Sequence, residues 1–406
     1  MTAACLKIDF RATLIFPLDL IFLFSYISRI MKKFLAILSI FSCGFFVFSL
    51  SNNTLLTFSA TPIDKDENDD VQFGGAYFLA ESVMSDDYVT LGGKLYYRLK
   101  ATNSKSSESQ ELDVKRAYAK IRPFGSGILE VAIGKLYSYY LSGGYFSLTE
   151  TYTGATRWGK TGLGIKSDIA GFTFGAALPL TEKYVAFSDD WGLNFGAEYD
   201  FSSIKSDFPL KVGFSAFYGA TADGEANAFS VSEKDFSECV SLNFSKKNFA
   251  FFKTFSVFAA FSHNSEPYVA NSVFKPVANY KNSDLKRTNL FSLAFRPTIG
   301  KVRITSESEL GHSVEGKMIP FYSALQIYAP IFGIFALKPL VAYYAAYDTS
   351  DSKNSFDSWE FYPRFMLEFE KWTVTAGWDM FYKEISDSEY RWTWTVPITA
   401  KVKIGG

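Results

Sequence analysis

The stretch Trp191-Gly-Leu-Asn-Phe-Gly-Ala-Glu-Tyr-Asp-Phe201 decides the fold class of this chain. Its odd-numbered positions are all apolar or aromatic, whereas its even-numbered positions are glycine, asparagine or acidic. Successive side chains of a β-strand point to opposite faces, so this strict alternation predicts a strand with one apolar and one polar face.

The same alternation recurs in strands near 302–309, 359–368 and 391–401. Their apolar faces often carry Trp or Tyr near the strand ends, and their other faces are charged or small. A soluble sandwich would also alternate, but a chain that is 48% hydrophobic and 18% aromatic would leave it an unusually apolar surface. The pattern favours lipid outside, an aromatic girdle at each interface and water inside.

Two kinds of connection alternate along the chain and set the strand count. Short turns are predicted near 123–127, 167–171, 202–209, 245–249, 297–301, 329–333 and 368–371. Polar, mostly longer connections are predicted near 101–111, 138–158, 181–190, 220–235, 263–286, 311–317, 348–355 and 383–389. We therefore predict an all-β fold, a transmembrane antiparallel up-and-down β-barrel of about 16 strands, with 14 to 18 possible and both termini periplasmic.

The N-terminal region has the features of an export signal. From Met31, two lysines precede a mostly apolar run, and small residues follow at Ser49 and Ser51. Residues 1–30 contain a second apolar run, interrupted by Pro17 and Asp19, so translation from Met31 is the simpler interpretation and a two-part membrane leader the alternative. We expect an upstream extension plus cleaved signal peptide at 1–51, a periplasmic lead-in or short strand at 52–87, and the barrel at 88–406.

Composition argues against several functional classes. The 41 basic and 42 acidic residues nearly balance, so no polybasic face predicts nucleic-acid binding. Beyond the leader, Cys239 is the only cysteine, and with only two histidines the sequence predicts no metal site and no cofactor. His263-Asn264-Ser265 has the spacing of a catalytic pair but no recognisable third group, and His312 near Glu309 has no supporting acidic motif, so we predict no enzyme.

Residues 113–135, with Arg116-Ala-Tyr in one predicted strand and Gly134-Lys135 ending the next, resemble the early hairpin of bacterial porins. The segment with Gly143-Gly144-Tyr145-Phe146 and 153–157 resembles the long porin loop that folds into the lumen. The resemblance implies passive diffusion of small hydrophilic solutes or ions across the outer membrane, in contact with its lipid, and often a homotrimer. Glu150 and Arg157 are the candidates for a constriction, with an ordinary extracellular loop as the alternative.

Strand parity places two sets of charged residues on the water-facing side. The basic set lies on predicted strands that adjoin when the barrel closes and comprises Lys94, Arg98, Lys100, Arg116, Lys120, Arg391 and Lys401. The acidic set comprises Glu198, Asp200, Glu307 and Glu309. Opposed basic and acidic walls would impose a transverse field on passing solutes, whereas mixed charges would simply hydrate the lumen.

The sequence therefore predicts an outer-membrane porin-like channel. The alternative is an outer-membrane surface protein or adhesin whose extracellular loops bind host or neighbouring molecules.

The mature chain is predicted to begin near Asn52, because the small residues Ser49 and Ser51 follow the apolar run. Intact-mass analysis of the exported protein checks this. A retained leader, or an acyl group on Cys43, would show that the cleavage site is wrong.

Overall fold

The computed structural model divides the chain into Met1–Leu50 and Ser51–Gly406. The structure describes residues 51–65, 71–72, 75–99, 110–135, 145–146, 148, 151–152, 161–179, 191–220, 235–264, 288–313, 317–350, 355–386 and 389–404. Residues 1–50 of the expected leader and signal peptide lie outside the described residues. No helix in the described segments has the length and apolar character needed to cross a membrane.

Eighteen strands of the described part of the chain form the barrel, and the short strand Val71–Gln72 pairs with the end of the first of them. The first nine are β1 Ser51–Lys65, β2 Gly75–Ser85, β3 Val89–Leu99, β4 Gln110–Ile121, β5 Glu130–Lys135, β6 Thr161–Ile169, β7 Phe172–Pro179, β8 Trp191–Asp200 and β9 Leu210–Ala220. The next five are β10 Asp235–Phe249, β11 Phe252–Asn264, β12 Thr288–Ile299, β13 Val302–Ser313 and β14 Met318–Phe332. Three strands are interrupted: β15 is Phe335–Leu337 with Leu340–Asp348, β16 is Phe356–Tyr362 with Arg364–Glu368, and β17 is Trp372–Gly377 with Asp379–Ser386. The last is β18 Glu389–Ile404.

Each strand pairs antiparallel with its neighbours in the sequence, and β1 pairs with β18 to close the ring. The closing register runs from Thr54 opposite Ile404 to Lys65 opposite Trp394. The prediction of an all-β antiparallel up-and-down barrel is confirmed, and the count of eighteen is the upper end of the predicted range.

The two extra strands come from the segment expected to be a periplasmic lead-in or short strand. Residues 52–87 instead supply most of a complete hairpin, in which β1 and β2 pair from Ser51 opposite Ser85 to Thr61 opposite Gly75. Its alternation is weak because Leu55, Tyr77 and Leu79 are apolar on the face that continues the polar lumen face of β3. The barrel therefore begins at Ser51 rather than at residue 88.

The outer face of the barrel is apolar and aromatic. Outward residues such as Leu242, Phe261 and Phe291 are strongly exposed in the isolated chain. Aromatic pairs gather near the short turns, where the Phe255 and Phe295 ring centroids lie 5.1 Å apart. A second group lies near the opposite rim. This is the arrangement expected for a lipid-facing band bounded by interfacial aromatics.

Short turns join the strands at one rim. Between β6 and β7, Ala170 and Gly171 have φ values of 50° and 85°, which is the backbone of a type I′ hairpin turn. A Cβ on Gly171 would lie 2.2 Å from Ser203 Oγ, so glycine is required there. In barrels of this kind the short turns are periplasmic and the longer connections extracellular.

An arginine at Leu242, which is outward and 46% exposed at the middle of β10, should cost about 2 to 4 kcal/mol of barrel stability, because lipid cannot solvate the charge. The matched change Asn243→Arg, on the inward face of the next position, should be mild. Urea titrations of both variants in lipid vesicles provide the comparison, and equal destabilisation would mean that the faces are assigned wrongly.

Candidate functional site

The lumen-facing side of the wall follows from the strand register. Lys94 on β3 lies opposite Arg116 on β4, and Glu81 on β2 lies opposite Lys94. Across the ring from these strands, Ala294 on β12 lies opposite Glu307 on β13. The structure thus places the charged residues predicted to face water, where it describes them, on the inner face.

Two carboxylates neutralise much of the basic group on β3 and β4. Glu81 accepts a hydrogen bond from Arg116 Nη1 at 3.1 Å and lies 3.5 Å from Lys94 Nζ. Glu130 on β5 lies 3.1 Å from Lys120 Nζ and accepts a 2.9 Å hydrogen bond from Arg122 Nε. These cationic side chains are 23 to 29% exposed, as expected for groups that border water rather than protein interior.

The predicted single basic wall is divided in two. Arg391 and Lys401 lie on β18, and β1 and β2 separate them from the basic residues of β3 and β4. The prediction joined the two groups because it did not recognise the first hairpin, which also brings Glu81 between them. Arg98 is exposed on β3, and Lys100 lies outside the described residues.

The acidic residues do not form one wall either. Glu198 and Asp200 on β8 both contact Lys211 of β9, at 3.1 and 3.5 Å. Glu307 and Glu309 lie five strands further on, on β13. Because β4 and β13 are nine strands apart in a ring of eighteen, the latter pair lies across the lumen from Arg116 and Lys120.

Glu307 and Glu309 are buried rather than open to the lumen. Glu307 is 0% exposed and accepts hydrogen bonds from Arg296 Nη2 at 2.8 Å and from the Leu148 backbone N–H at 2.9 Å. Glu309 is 8% exposed and accepts a hydrogen bond from Ser292 Oγ at 2.9 Å. Buried carboxylates require such partners, and here one partner comes from the connection between β5 and β6.

The connection between β5 and β6 therefore reaches across the lumen. Leu148 packs against a buried cluster on the inner faces of β10, β11, β12, β14 and β15, which includes Phe258, Tyr322 and Tyr344. Beside Leu148, Tyr145–Phe146 and Thr151–Tyr152 form a two-stranded ribbon. The predicted inward course of this segment agrees with these contacts, but Glu150 and Arg157 lie outside the described residues. No sequence signal identified Leu148, because its acceptor is 159 residues away.

A hydrogen-bonded network of tyrosines and a glutamate continues the part of the wall against which Leu148 packs. The Tyr322 and Tyr344 ring centroids are 5.0 Å apart, and the Tyr344 hydroxyl donates to Glu360 Oε2 at 3.1 Å. The Tyr362 hydroxyl donates to the same oxygen at 2.5 Å. Hydrogen bonds therefore hold the side chains on this part of the inner face, whereas the inner face of β2 to β4 carries partly exposed charged side chains.

The candidates considered for catalysis or metal binding do not assemble in the lumen. His263 and His312 are on the outward face, where His263 Nδ1 is 2.8 Å from Asn289 Oδ1, and Ser265 lies outside the described residues. Among the described residues no group of three or more His, Cys, Asp or Glu side chains has the arrangement of a metal site. Cys239 is a buried thiol.

Comparison with known proteins shows a likeness in fold. No family model and no curated relative matches the sequence. OccAB2 of Acinetobacter baumannii is 10% identical with a TM-score of 0.54, covering 87% of this chain and 98% of that one. The outer membrane protein OpdK of Pseudomonas aeruginosa, in its structure with vanillate, is 10% identical with a TM-score of 0.53, covering 88% and 99%. OccK5 (OpdH) of Pseudomonas aeruginosa is 11% identical with a TM-score of 0.52, covering 87% and 98%. The chain has a porin-like β-barrel fold.

The Glu307 carboxylate is predicted to protect the Leu148 amide from hydrogen exchange. Glu307→Gln replaces a hydrogen bond to a charged acceptor with a weaker neutral one, so exchange at Leu148 should be about five- to tenfold faster. Hydrogen–deuterium exchange with mass spectrometry of peptides that contain Leu148 measures this effect. Glu198→Gln on the other part of the wall is the matched control, and equal exchange in both variants would contradict the contact.

Proposed function

We propose that the protein is an outer-membrane porin-like channel for passive diffusion of small hydrophilic solutes. The supporting observation is the difference between its two faces: the outer face is apolar and exposed, and the inner face of a closed ring carries partly exposed charges. Lipid favours the first face and water the second. We propose a non-catalytic role, since passage of solutes requires no bond to be made or broken.

The charge distribution supports a mild preference for anions. Most of the inner carboxylates described above are paired with a neighbouring cation. Lys401 and Lys403 are exposed on the inner face of β18 and have no ion-pair partner among the described side chains. Unpaired luminal cations lower the electrostatic barrier for anions and raise it for cations.

The segment containing Leu148 supplies the basis for size selection. It occupies the side of the lumen along β10 to β15, so the remaining water-filled section is bordered by β16 to β18 and by β1 to β9. We propose that passage follows this side, past the basic residues of β3, β4 and β18. The constriction candidates Glu150 and Arg157 belong to the same connection.

A surface-interaction role is the second candidate, because the eighteen strands leave long connections at the rim opposite the short turns. Location in the outer membrane and assembly as a homotrimer also belong to the proposal. Conductance in planar bilayers discriminates the two roles, since a closed barrel with loop-dependent binding conducts no ions. Cross-linking in native membranes tests the trimer.

Reversing two luminal charges is predicted to change ion selectivity. Arg116→Glu with Lys120→Glu should shift the reversal potential toward cations, because a group in the lumen lies within about a Debye length, ~10 Å at 0.1 M salt, of passing ions. The shift should shrink in 1 M salt, where screening falls to about 3 Å. Planar-bilayer recordings measure both values.

The matched control for this experiment is Lys205→Glu with Lys301→Glu, which reverses two exposed lysines on short turns outside the lumen. It should leave the reversal potential close to that of the native protein. A folded, heat-modifiable barrel without conductance, or a selectivity unaffected by the luminal reversals, would sink the channel proposal in favour of surface interaction.

A further inference from the structure

Irregularities in adjoining strands line up across one part of the barrel wall. The register of β1 against β18 shifts between Ala60 and Ile63, around Pro62. Next in the ring come Pro397 within β18, the break in β17 between Gly377 and Asp379, and the break in β16 at Pro363. Proline cannot donate a ladder hydrogen bond, and in sheets it is confined to edges, ends and bulges. These positions lie side by side on four consecutive strands, so they form one irregular region of the barrel wall.

A cavity of about 260 Å³ lies on the inner face at these irregularities. Pro397 and Thr399 of β18, Thr375 of β17 and Thr61 of β1 line it. Gly377 contributes no side chain beside it, and a Cβ there would lie 2.6 Å from Arg364 Cγ. On β17, Gly377 thus leaves a gap between the inward side chains of Thr375 and Asp379, which both line the cavity.

The charged groups of this cavity neutralise each other. Arg364 donates from Nε to Asp379 Oδ1 at 3.0 Å and from Nη2 to Asp379 Oδ2 at 2.5 Å. The guanidinium carbon also lies 4.9 Å from the centre of the Tyr362 ring. A bidentate pair of this kind is strong and geometrically fixed, so a charged solute would have to break it to bind.

Hydroxyl groups remain available around the ion pair. Within the described part of the chain, the side chains of Thr61, Thr375 and Thr395 have no hydrogen-bond partner in the protein, whereas Ser59 and Thr399 bond each other at 2.9 Å. Tyr77 adds an aromatic ring that is tilted against Tyr96 and partly exposed. Hydroxyls that donate and accept, beside an aromatic face, match a ligand that has both hydroxyl and C–H surfaces.

We propose that this cavity, lined by Thr61, Tyr77, Thr375, Thr395 and the Arg364–Asp379 pair, binds a small neutral polyhydroxylated solute such as a monosaccharide. The inference rests on the proposed function, since a solute reaches the cavity through an open lumen. Its volume is below the ~300 Å³ of pockets that hold drug-sized ligands, which favours a single sugar ring over an oligosaccharide.

Glucose and glucuronate are the probes, because they share one ring and differ in a carboxylate. Binding to the detergent-solubilised barrel is measured by saturation-transfer NMR, and the reduction of ion current by each sugar is measured in planar bilayers. Thr375→Val with Thr395→Val removes two cavity hydroxyls at nearly constant volume. Thr254→Val with Thr298→Val is the matched control, since these luminal threonines bond each other at 2.7 Å on β11 and β12.

Glucose should bind the native protein and the control equally, and about tenfold more weakly to the cavity variant, with glucuronate no tighter than glucose. If the double variant does not fold, Thr395→Val alone provides the comparison. Absence of glucose binding, equal binding by the cavity variant, or tighter binding of glucuronate would overturn the inference. Conductance without glucose binding rejects the cavity alone, whereas glucose binding without conductance rejects the channel and leaves the cavity.

Discussion

The hydrogen-bonded closure of β1 on β18 is the constraint on which the rest of the structure depends. In the hydrocarbon part of a membrane no water satisfies the backbone of an edge strand, so a spanning sheet has to close. Once the ring is closed, each strand has one face toward lipid and one toward the interior. The alternation in 191–201 follows from this, because its apolar positions face lipid and its polar positions face the interior. Every luminal feature, including the charges and the cavity, follows from which parity faces inward.

Most charged side chains of the interior form ion pairs with charged side chains on nearby strands, and they do not form opposed basic and acidic walls. Glu81 and Glu130 each form ion pairs with two cationic side chains, and Lys211 forms ion pairs with Glu198 and Asp200. All of these ion pairs join nearby segments of the barrel wall. The carboxylates of β13 are different, because the segment with Leu148 covers them. Glu307 is neutralised locally by its ion pair with Arg296, so the exposed lysines Lys401 and Lys403 of β18 add positive charge to the remaining water.

Period-two alternation was enough to predict the barrel, the inward parity and seven of the short turns, because lipid and water impose opposite requirements on the two faces. It failed at Leu55, Tyr77 and Leu79, where apolar residues occupy the inward face and hide the alternation. The contact between Leu148 and Glu307 was beyond sequence reasoning, since a backbone donor leaves no trace in residue type. The cavity does have a signal in the sequence, namely prolines inside strand patterns, such as Pro397 in β18.

Those prolines also reduce the backbone hydrogen bonding between the strands of the wall. Each proline removes one backbone N–H donor from the hydrogen bonds between strands. Lipid offers no donor to replace it, so the loss destabilises the barrel. At two interruptions the other bond of the strand pair is kept: the Trp378 N–H donates to the Pro363 carbonyl at 3.2 Å, and the Ile327 N–H donates to the Pro339 carbonyl at 3.1 Å. Pro339 lies in the interruption of β15, so the irregular positions run on beyond the cavity. The carbonyl of each of these prolines therefore keeps its ladder bond, whereas the opposite carbonyl loses the donor that the proline ring removes. A barrel required only to be stable would place regular β-branched residues there, so the irregular positions point to a requirement on the lumen side.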